Sequence, residues 1–131
     1  MNLEILRVLI GGGESDTVEF KKSTSLLEAG CETLCGFLNA HGGVVLFGVN
    51  DQGHLKGQDV SDATLREIAN ALKKFEPAVH VTIERARLPD GKEILALRAT
   101  PISEEQPYTF DGRGYQRVGA TRRCASHTRA S

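Results

Sequence analysis

The sequence predicts one α+β (mixed α/β) domain in which helices flank a mixed, mainly antiparallel sheet. Residues 44–49 form an apolar run without alternation, which is typical of a central strand covered on both faces. Apolar residues at helical spacing precede this run, and alternating apolar residues follow it in the second half of the chain. Strands mixed with two main helices favour a layered fold of this class. We therefore predict a single domain over residues 1–131.

Three segments have the spacing of amphipathic helices. The first covers residues 2–10, where leucines and isoleucines recur and Asn2 is a candidate cap. The second has apolar residues at positions 27, 31, 34 and 38, and Ser25 and Glu28 have the spacing of a capping box. The third is predicted to bury positions 65, 68, 72 and 75 and to end before Pro77.

The strands are predicted from alternation and from turn residues. In residues 18–21, Val18 and Phe20 point to one side, and Glu19 and Lys21 point to the other. Glycines 42 and 43 end the second helix, and the turn signal at 50–53 favours a return strand at 54–56. Two further hairpins are predicted, one with strands at 79–83 and 93–99, and one that turns at residues 111–112.

Composition and motifs narrow the classes of function. The net charge of −1 favours no partner for the chain as a whole, although residues 112–131 contain five arginines and no acid. No phosphate-binding loop or dinucleotide-binding glycine motif is present. The three cysteines form no regular disulfide framework, so the expected location is cytoplasmic, and Cys31 and Cys35 are interpreted as core residues. Residues 1–10 are too short for a membrane segment, and no membrane association is expected.

Three carboxylates form the candidate chemical site. Glu14 and Glu19 flank a short connector, and Asp51 follows the central strand. Pairing of the strand at 18–21 beside the strand at 44–49 would bring these acids to one edge of the sheet. A hard divalent cation would relieve their repulsion, and such a cation can polarise a phosphate and activate water. The alternative is that all three are solvated acids beside turns.

Four segments have the pattern of a known family. Residues 13–21 read GESDTVEFK, residues 37–43 read FLNAHGG, residues 48–53 read GVNDQG, and residues 107–108 and 115–120 read PY and YQRVGA. We refer to them below as the opening, middle, aspartate and closing motifs. They resemble, in that order, the Gly-Glu-Ser-x-x-x-Glu-Phe-Lys, Phe-Ala-Asn-Thr-x-Gly-Gly, Gly-Val-Asp-Asp-x-Gly, and Pro-Tyr with Tyr-x-Arg-x-Gly-Ser motifs of the Schlafen core (AlbA-type Schlafen) domain family. The resemblance covers residues 12–126.

The resemblance implies a nucleic-acid-binding protein, and some family members are metal-dependent endoribonucleases acting on structured RNA such as tRNA. The family's catalytic and metal-binding trio falls on Glu14, Glu19 and Asp51, which would hold Mg²⁺ or Mn²⁺. Lys21 matches the family's lysine and is expected to assist catalysis at the scissile phosphate. Asn50 replaces the first aspartate of its motif, a position that the trio does not require.

Further expectations concern partners. The residues expected to contact nucleic acid, mainly through phosphates, are Lys21, Lys22, Arg117, Arg122 and Arg123. With five phenylalanines, two tyrosines and no tryptophan, the chain has little material for stacking single-stranded bases, which favours recognition of duplex shape over sequence. The resemblance implies RNA rather than DNA as the nucleic acid. The ribonuclease members have two lobes and this chain has one, so a homodimer is expected. The alternative functions are a non-catalytic DNA- or RNA-binding module of a transcriptional regulator and an interaction subunit that needs another chain.

Overall fold

The computed structural model describes residues 1–102 and 107–124, with the backbone alone described for residues 121–124. The helices are α1 (Leu3–Gly11), α2 (Leu27–Leu38, preceded by a 3-10 turn at Thr24–Leu26) and α3 (Asp62–Leu72). The strands are β1 (Val18–Lys21), β2 (Gly43–Phe47), β3 (Phe75–Glu76), β4 (Val81–Arg87), β5 (Glu93–Ala99), β6 (Thr109–Phe110), β7 (Arg113–Val118) and β8 (Thr121–Cys124). They form two four-stranded sheets, in the orders β1-β2-β5-β4 and β3-β6-β7-β8. The predicted α+β class is therefore confirmed.

Strand β2 lies in the interior of the first sheet. It pairs parallel with β1, from Val18 opposite Val44 to Lys21 opposite Phe47, and antiparallel with β5 on its other side. The side chains of β2 alternate between two separate cores, and residues 44–47 are no more than 1% exposed. The predicted central strand, covered on both faces, is confirmed.

Two apolar cores hold the layers together. The smaller core packs Leu6 of α1 against Val18, Phe20, Val44 and Leu46 on one face of the first sheet. The larger core joins the other face of that sheet to α2, α3 and the second sheet. Its members include Cys31, Cys35, Phe37, Val45, Phe47, Ile68, Phe75, Leu97, Tyr108 and Phe110. Both predicted core cysteines are 0% exposed, which confirms their assignment.

Helix α2 approaches the backbone of β7 at Gly36. A Cβ at this position would lie 3.1 Å from the carbonyl carbon of Gln116 and 3.2 Å from the nitrogen of Arg117. Glycine inside a helix costs roughly 0.5–1 kcal/mol relative to alanine, so the close approach explains why glycine occurs here. The contact brings β7, and with it Arg117, against α2.

Several local predictions are wrong. Residues 54–56 form no regular strand: they return antiparallel to residues 48–50 through an isolated bridge between Val49 and Leu55, with the nitrogen of Asn50 donating to the oxygen of His54 and that of Lys56 to the oxygen of Gly48. The reason is the side chain of Asn50, which accepts hydrogen bonds from two backbone N–H groups and closes a compact turn. Glu28 forms no capping box with Ser25, because Ser23 instead caps the 3-10 turn that precedes α2.

The second sheet was not predicted as a separate unit. Helix α3 ends at Leu72, so Phe75 is not on its buried face and instead pairs with Phe110 as part of β3. Strand β4 begins at Val81 rather than at residue 79, and β8 has no counterpart among the predicted strands. None of the helices in residues 1–102 and 107–124 is long and apolar enough to span a membrane.

Candidate functional site

The loop of residues 13–17 closes the outer edge of β1. The backbone nitrogen of Ser15 donates to the oxygen of Val18 at 2.9 Å, and the nitrogen of Phe20 donates to Oε2 of Glu14, also at 2.9 Å. Strand β1 is an edge strand, so its outward backbone groups have no neighbouring strand to pair with. The carboxylate of Glu14 therefore takes the place of a neighbouring strand.

Glu19 lies between two cations. Its Oε2 is 3.2 Å from Nζ of Lys21, and its Oε1 is 2.8 Å from Nη1 of Arg117. The side chain of Glu19 is 13% exposed and that of Lys21 is 17% exposed. The contact between Arg117 and Glu19 is an ion pair without an aligned hydrogen bond. Oε1 of Glu19 is buried, and no described donor meets it at hydrogen-bonding geometry. This network neutralises the charge of Glu19 locally.

Arg117 joins the closing motif to the opening and middle motifs. Its Nη2 donates to the backbone oxygens of Ser15 at 2.7 Å and Val18 at 3.3 Å, and its Nε donates to Ser15 at 3.2 Å. The guanidinium carbon also lies 5.0 Å from the ring centroid of Phe37. The side chain is 1% exposed, so it faces the protein rather than solvent. Its contact with nucleic acid stays a prediction, while its role in holding the loop of residues 13–17 is shown by these contacts.

Asn39 makes a second connection between motifs, to which the sequence analysis assigned no role. Its Nδ2 donates to the backbone oxygens of Tyr108 and Tyr115 at 2.9 Å each, and its Oδ1 accepts from the nitrogen of Tyr108 at 2.6 Å. An amide directly after the last turn of α2 is a signal for such a role. Its partners could not be inferred, because they lie 69 and 76 positions further along the chain.

Asp51 is exposed in the turn that follows β2. The backbone nitrogens of Gly48 and Val49 donate to the oxygen of Lys21 at 2.8 and 3.1 Å, so the ends of β1 and β2 lie side by side. The predicted pairing of these two strands is confirmed. It places the turn that contains Asp51 next to the end of the strand that carries Glu19.

The three acids supply the oxygen ligands that Mg²⁺ and Mn²⁺ prefer. Their described arrangement is nevertheless not that of a metal site. Glu14 accepts the hydrogen bond from Phe20, and both oxygens of Glu19 face cations. Among residues 1–102 and 107–124, no group of three or more His, Cys, Asp or Glu side chains is arranged to hold an ion. The metal role of Glu14, Glu19 and Asp51 stays a prediction.

The remaining basic residues differ in exposure. Lys22 is exposed at the end of β1, directly after the half-buried Lys21. Backbone pairing places Arg122 opposite Arg117 and Arg123 opposite Gln116. The side chains of Arg122 and Arg123 lie outside the described part of the structure. Of the predicted nucleic-acid contacts, Lys22 is therefore the one with an exposed side chain in the described part.

The buried thiols are unsuited to nucleophilic chemistry. Burial raises the pKa of Cys31 and of Cys35 from 9.0 to about 12. The thiolate is the reactive form of cysteine, so both side chains remain protonated near neutral pH. Cys35 Sγ instead donates a hydrogen bond to the backbone oxygen of Tyr108 at 3.3 Å. These two residues are part of the core that supports the site.

Comparison with known proteins agrees with this arrangement of motifs. The model of the Schlafen, AlbA_2 family matches residues 14–126. No curated protein matches the chain. Among solved structures, the chain is similar to the N-terminal domain of a RecG-related protein, described as related to an ATP-dependent DNA helicase, from Nitrosomonas europaea. The identity is 23%, the TM-score is 0.67, and the match covers 92% of this chain and 86% of that one, so it supports the fold alone. Because the family model matches residues 14–126, well over half of the chain, the chain belongs to the Schlafen AlbA_2 family.

Proposed function

We propose that this cytoplasmic chain is a nucleic-acid-binding domain. Membership of the Schlafen AlbA_2 family points to nucleic acid as the partner. The structural observation that carries the proposal is the neutralisation of Glu19 by Lys21 and Arg117. Without these cations the carboxylate of Glu19 would add to the repulsion of a polyanion by the exposed Asp51 at this edge of the sheet, whereas the neutralised Glu19 does not. Lys22 directly follows Lys21 in the chain and is exposed, so it supplies a cation for a phosphate.

Structured RNA is the proposed ligand, in preference to DNA. The aromatic side chains that stack on unpaired bases are scarce, and among the described ones Phe37, Tyr108, Phe110 and Tyr115 are buried in the core. Recognition therefore relies on the phosphate backbone and the shape of a duplex, as is usual for double-stranded RNA.

Binding is tested with labelled tRNA and with duplex DNA of similar length, in chelator, over a range of salt concentrations. Lys22→Gln is expected to weaken tRNA binding and to lower the salt slope by about one, as for the loss of one phosphate contact. Lys73→Gln is the matched control, since Lys73 is an exposed lysine at the end of α3. Equal effects of the two variants, or no salt dependence, would contradict the proposal.

A second candidate function is divalent-metal-dependent cleavage of structured RNA such as tRNA. The observation in its favour is that Glu14 and Glu19 both lie at β1, while Asp51 follows the parallel partner strand β2. Glu19 is engaged by Lys21 and Arg117 in this arrangement, so no catalytic step through a metal follows from it. Mg²⁺ or Mn²⁺ would have to replace these contacts, with Lys21 then free to contact the scissile phosphate.

Cleavage is tested by incubating tRNA with the protein and Mn²⁺, with and without chelator. The second candidate requires cleavage that is lost with chelator and with Asp51→Ala. Asp59→Ala is the control, since Asp59 is exposed and lies outside the four motifs. Tight binding without cleavage leaves the non-catalytic module of a regulator as the function.

We also propose that the chain forms a homodimer. The ribonuclease members of the family form a groove between two lobes, and two copies of this domain would supply two lobes. Two-fold pairing is the commonest form of oligomer. Light scattering coupled to gel filtration at micromolar concentration checks this proposal, and a monomer over the whole concentration range would contradict it.

A further inference from the structure

A groove lies at the start of β2, at the opposite end of this strand from Asp51. It has a volume of about 250 Å³ and is lined by residues from α1, the loop before β1, the turn between α2 and β2, and the end of β5. The polar residues of its lining are Thr17, His41, Arg98 and Thr100, and the apolar ones include Val44 and Ala99. We refer to it as the Arg98 groove. It contains none of the residues predicted for metal binding or catalysis.

Arg98 has unused hydrogen-bonding capacity. Its side chain is 42% exposed, and the contact recorded for its guanidinium is with Oε1 of Glu84, at 3.7 Å from Nε. This distance is too long for a hydrogen bond, so none of the five N–H donors has a hydrogen-bond acceptor among the described residues. Arg85 on the neighbouring strand differs, because two of its nitrogens each bond to Glu93 at 2.8 Å.

The other polar groups of the groove suit an anion. The imidazole of His41 is exposed at the rim and has no hydrogen bond to another described residue. Thr17 and Thr100 also line the groove, and the hydroxyl of Thr17 lies 3.4 Å from that of Ser15. No aspartate or glutamate lines the groove. The polar residues of its lining are thus an arginine, a histidine and two threonines, without an acid.

We propose that the Arg98 groove binds a phosphate group. The planar guanidinium of Arg98 matches two phosphate oxygens, and His41, in the turn before β2, supplies a further donor. The volume is below the range of roughly 300–1,000 Å³ that is usual for drug-sized ligands. The groove therefore has room for a phosphate with part of an attached sugar.

The first experiment titrates the full chain with inorganic phosphate, observed by two-dimensional NMR of the backbone amides at constant ionic strength. Saturable shift changes are expected at residues 41–44 and 98–100. Arg98→Gln is expected to raise the dissociation constant at least about tenfold, since a charge-assisted bidentate contact is lost. His41→Gln is expected to raise it severalfold. Arg87→Gln, an exposed arginine on β4 outside the groove, is the control and leaves the constant unchanged.

Arg98→Lys checks that the effect is not one of misfolding. It keeps the positive charge and removes the planar fork, so its dissociation constant should lie between those of the wild type and Arg98→Gln. Absence of saturable shifts at residues 41–44 and 98–100 would overturn the proposal. Equal phosphate binding by the wild type and by folded Arg98→Gln would overturn it as well.

The second experiment identifies the source of the phosphate with short oligoribonucleotides that carry or lack a 5′-phosphate. Preferential binding of the phosphorylated form, lost in Arg98→Gln, assigns the groove to a terminal phosphate. Equal binding of both forms, weakened by Arg98→Gln, assigns it to a phosphodiester of the backbone. Oligonucleotide binding that depends on Lys22 and not on Arg98, together with no saturable binding of inorganic phosphate at residues 41–44 and 98–100, would preserve the proposed function and overturn the groove. If the chain binds no nucleic acid but still binds inorganic phosphate at Arg98, the groove is preserved and the proposed function is overturned.

Discussion

The carboxylate of Glu19 lies 2.8 Å from the guanidinium of Arg117, although one residue is near the start of the chain and the other near its end. The same guanidinium binds the backbone of Ser15 and lies over the ring of Phe37. Residues of three family motifs thus meet at one buried side chain. The motifs that place the chain in its family also connect its two sheets, because β1 belongs to one sheet and β7 to the other.

Arg117→Ala is expected to lower the free energy of unfolding by about 3–5 kcal/mol, the range found when one partner of a buried ion pair is removed. The substitution leaves Oε1 of Glu19 buried without its cation and the oxygen of Ser15 without its donors. Urea unfolding followed by circular dichroism measures the change. Arg87→Ala, an exposed arginine on β4, is the control and should stay within about 0.5 kcal/mol of the wild type.

The double variant Glu19→Gln/Arg117→Ala tests whether the two side chains act as a pair. It is expected to lose less stability than the sum of the single variants, because neutral glutamine needs no cation. Additive losses would contradict a direct coupling between Glu19 and Arg117.

Asn39→Ala is expected to lower the free energy of unfolding by about 2–4 kcal/mol, since the backbone groups of Tyr108 and Tyr115 lose three hydrogen bonds. Asn39→Asp should be at least as harmful, because a carboxylate would face two carbonyl oxygens in place of the amide donor. The measurement is equilibrium unfolding in urea. Asn70→Ala, at an exposed position on α3, serves as the control, and a loss as small as that control would show that the bonds contribute little.

Glu14→Gln separates the structural role of this residue from its predicted catalytic role. The amide oxygen of glutamine still accepts the hydrogen bond from Phe20, so stability should change by less than about 0.5 kcal/mol. Glu14→Ala removes the acceptor and should cost about 0.5–1.5 kcal/mol. If the chain cleaves tRNA, both variants are expected to lose that cleavage. Cleavage at the wild-type rate by Glu14→Gln would show that Glu14 has no catalytic role and only closes the edge of β1.

Stability is expected to fall in alkaline solution because of the two buried thiols. Burial raises their pKa from 9.0 to about 12, so the unfolded chain loses these protons at a lower pH than the folded protein. The stabilisation is fully present below pH 9 and is lost as the pH rises towards 12. Each thiol contributes a slope of up to about 1.4 kcal/mol per pH unit in this window.

Urea unfolding between pH 8 and pH 11 measures this slope in a Cys124→Ala background. Adding Cys31→Ala and Cys35→Ala should flatten the decline. In the same background, Ellman's reagent should label the two thiols at pH 8 only after unfolding. Rapid labelling of the folded protein, or an unchanged slope without the cysteines, would contradict their burial as protonated thiols.

The local features of the fold were predictable, because each depends on residues close together in sequence. Alternation predicted the two faces of β1, and the apolar run predicted β2 as a central strand. Capping by Asn2 followed from its position directly before α1. Phe75 was assigned wrongly, since its spacing fits α3 and its actual partner, Phe110, lies in a distant strand.

The sequence predicted which residues belong to the candidate site, but not which of them contact each other. The motif match selected Glu14, Glu19, Lys21, Asp51 and Arg117 by residue type and spacing. Spacing contains no information on which acid faces which base. The pairing of Glu19 with Arg117 depends on how β7 packs against α2 at Gly36, a contact between segments that are far apart in the chain.

The sequence by itself determined the fold class, the central strand, the core cysteines and the family. Periodicity and short motifs encode these features locally, so they can be read without coordinates. Only the tertiary structure decided that Glu14 completes the edge of β1, that Arg117 is buried against Glu19, and that Arg98 lies in a groove without a hydrogen-bond acceptor among the described residues. These three outcomes follow from packing between distant segments, which sets the distance and the solvent exposure of each charge.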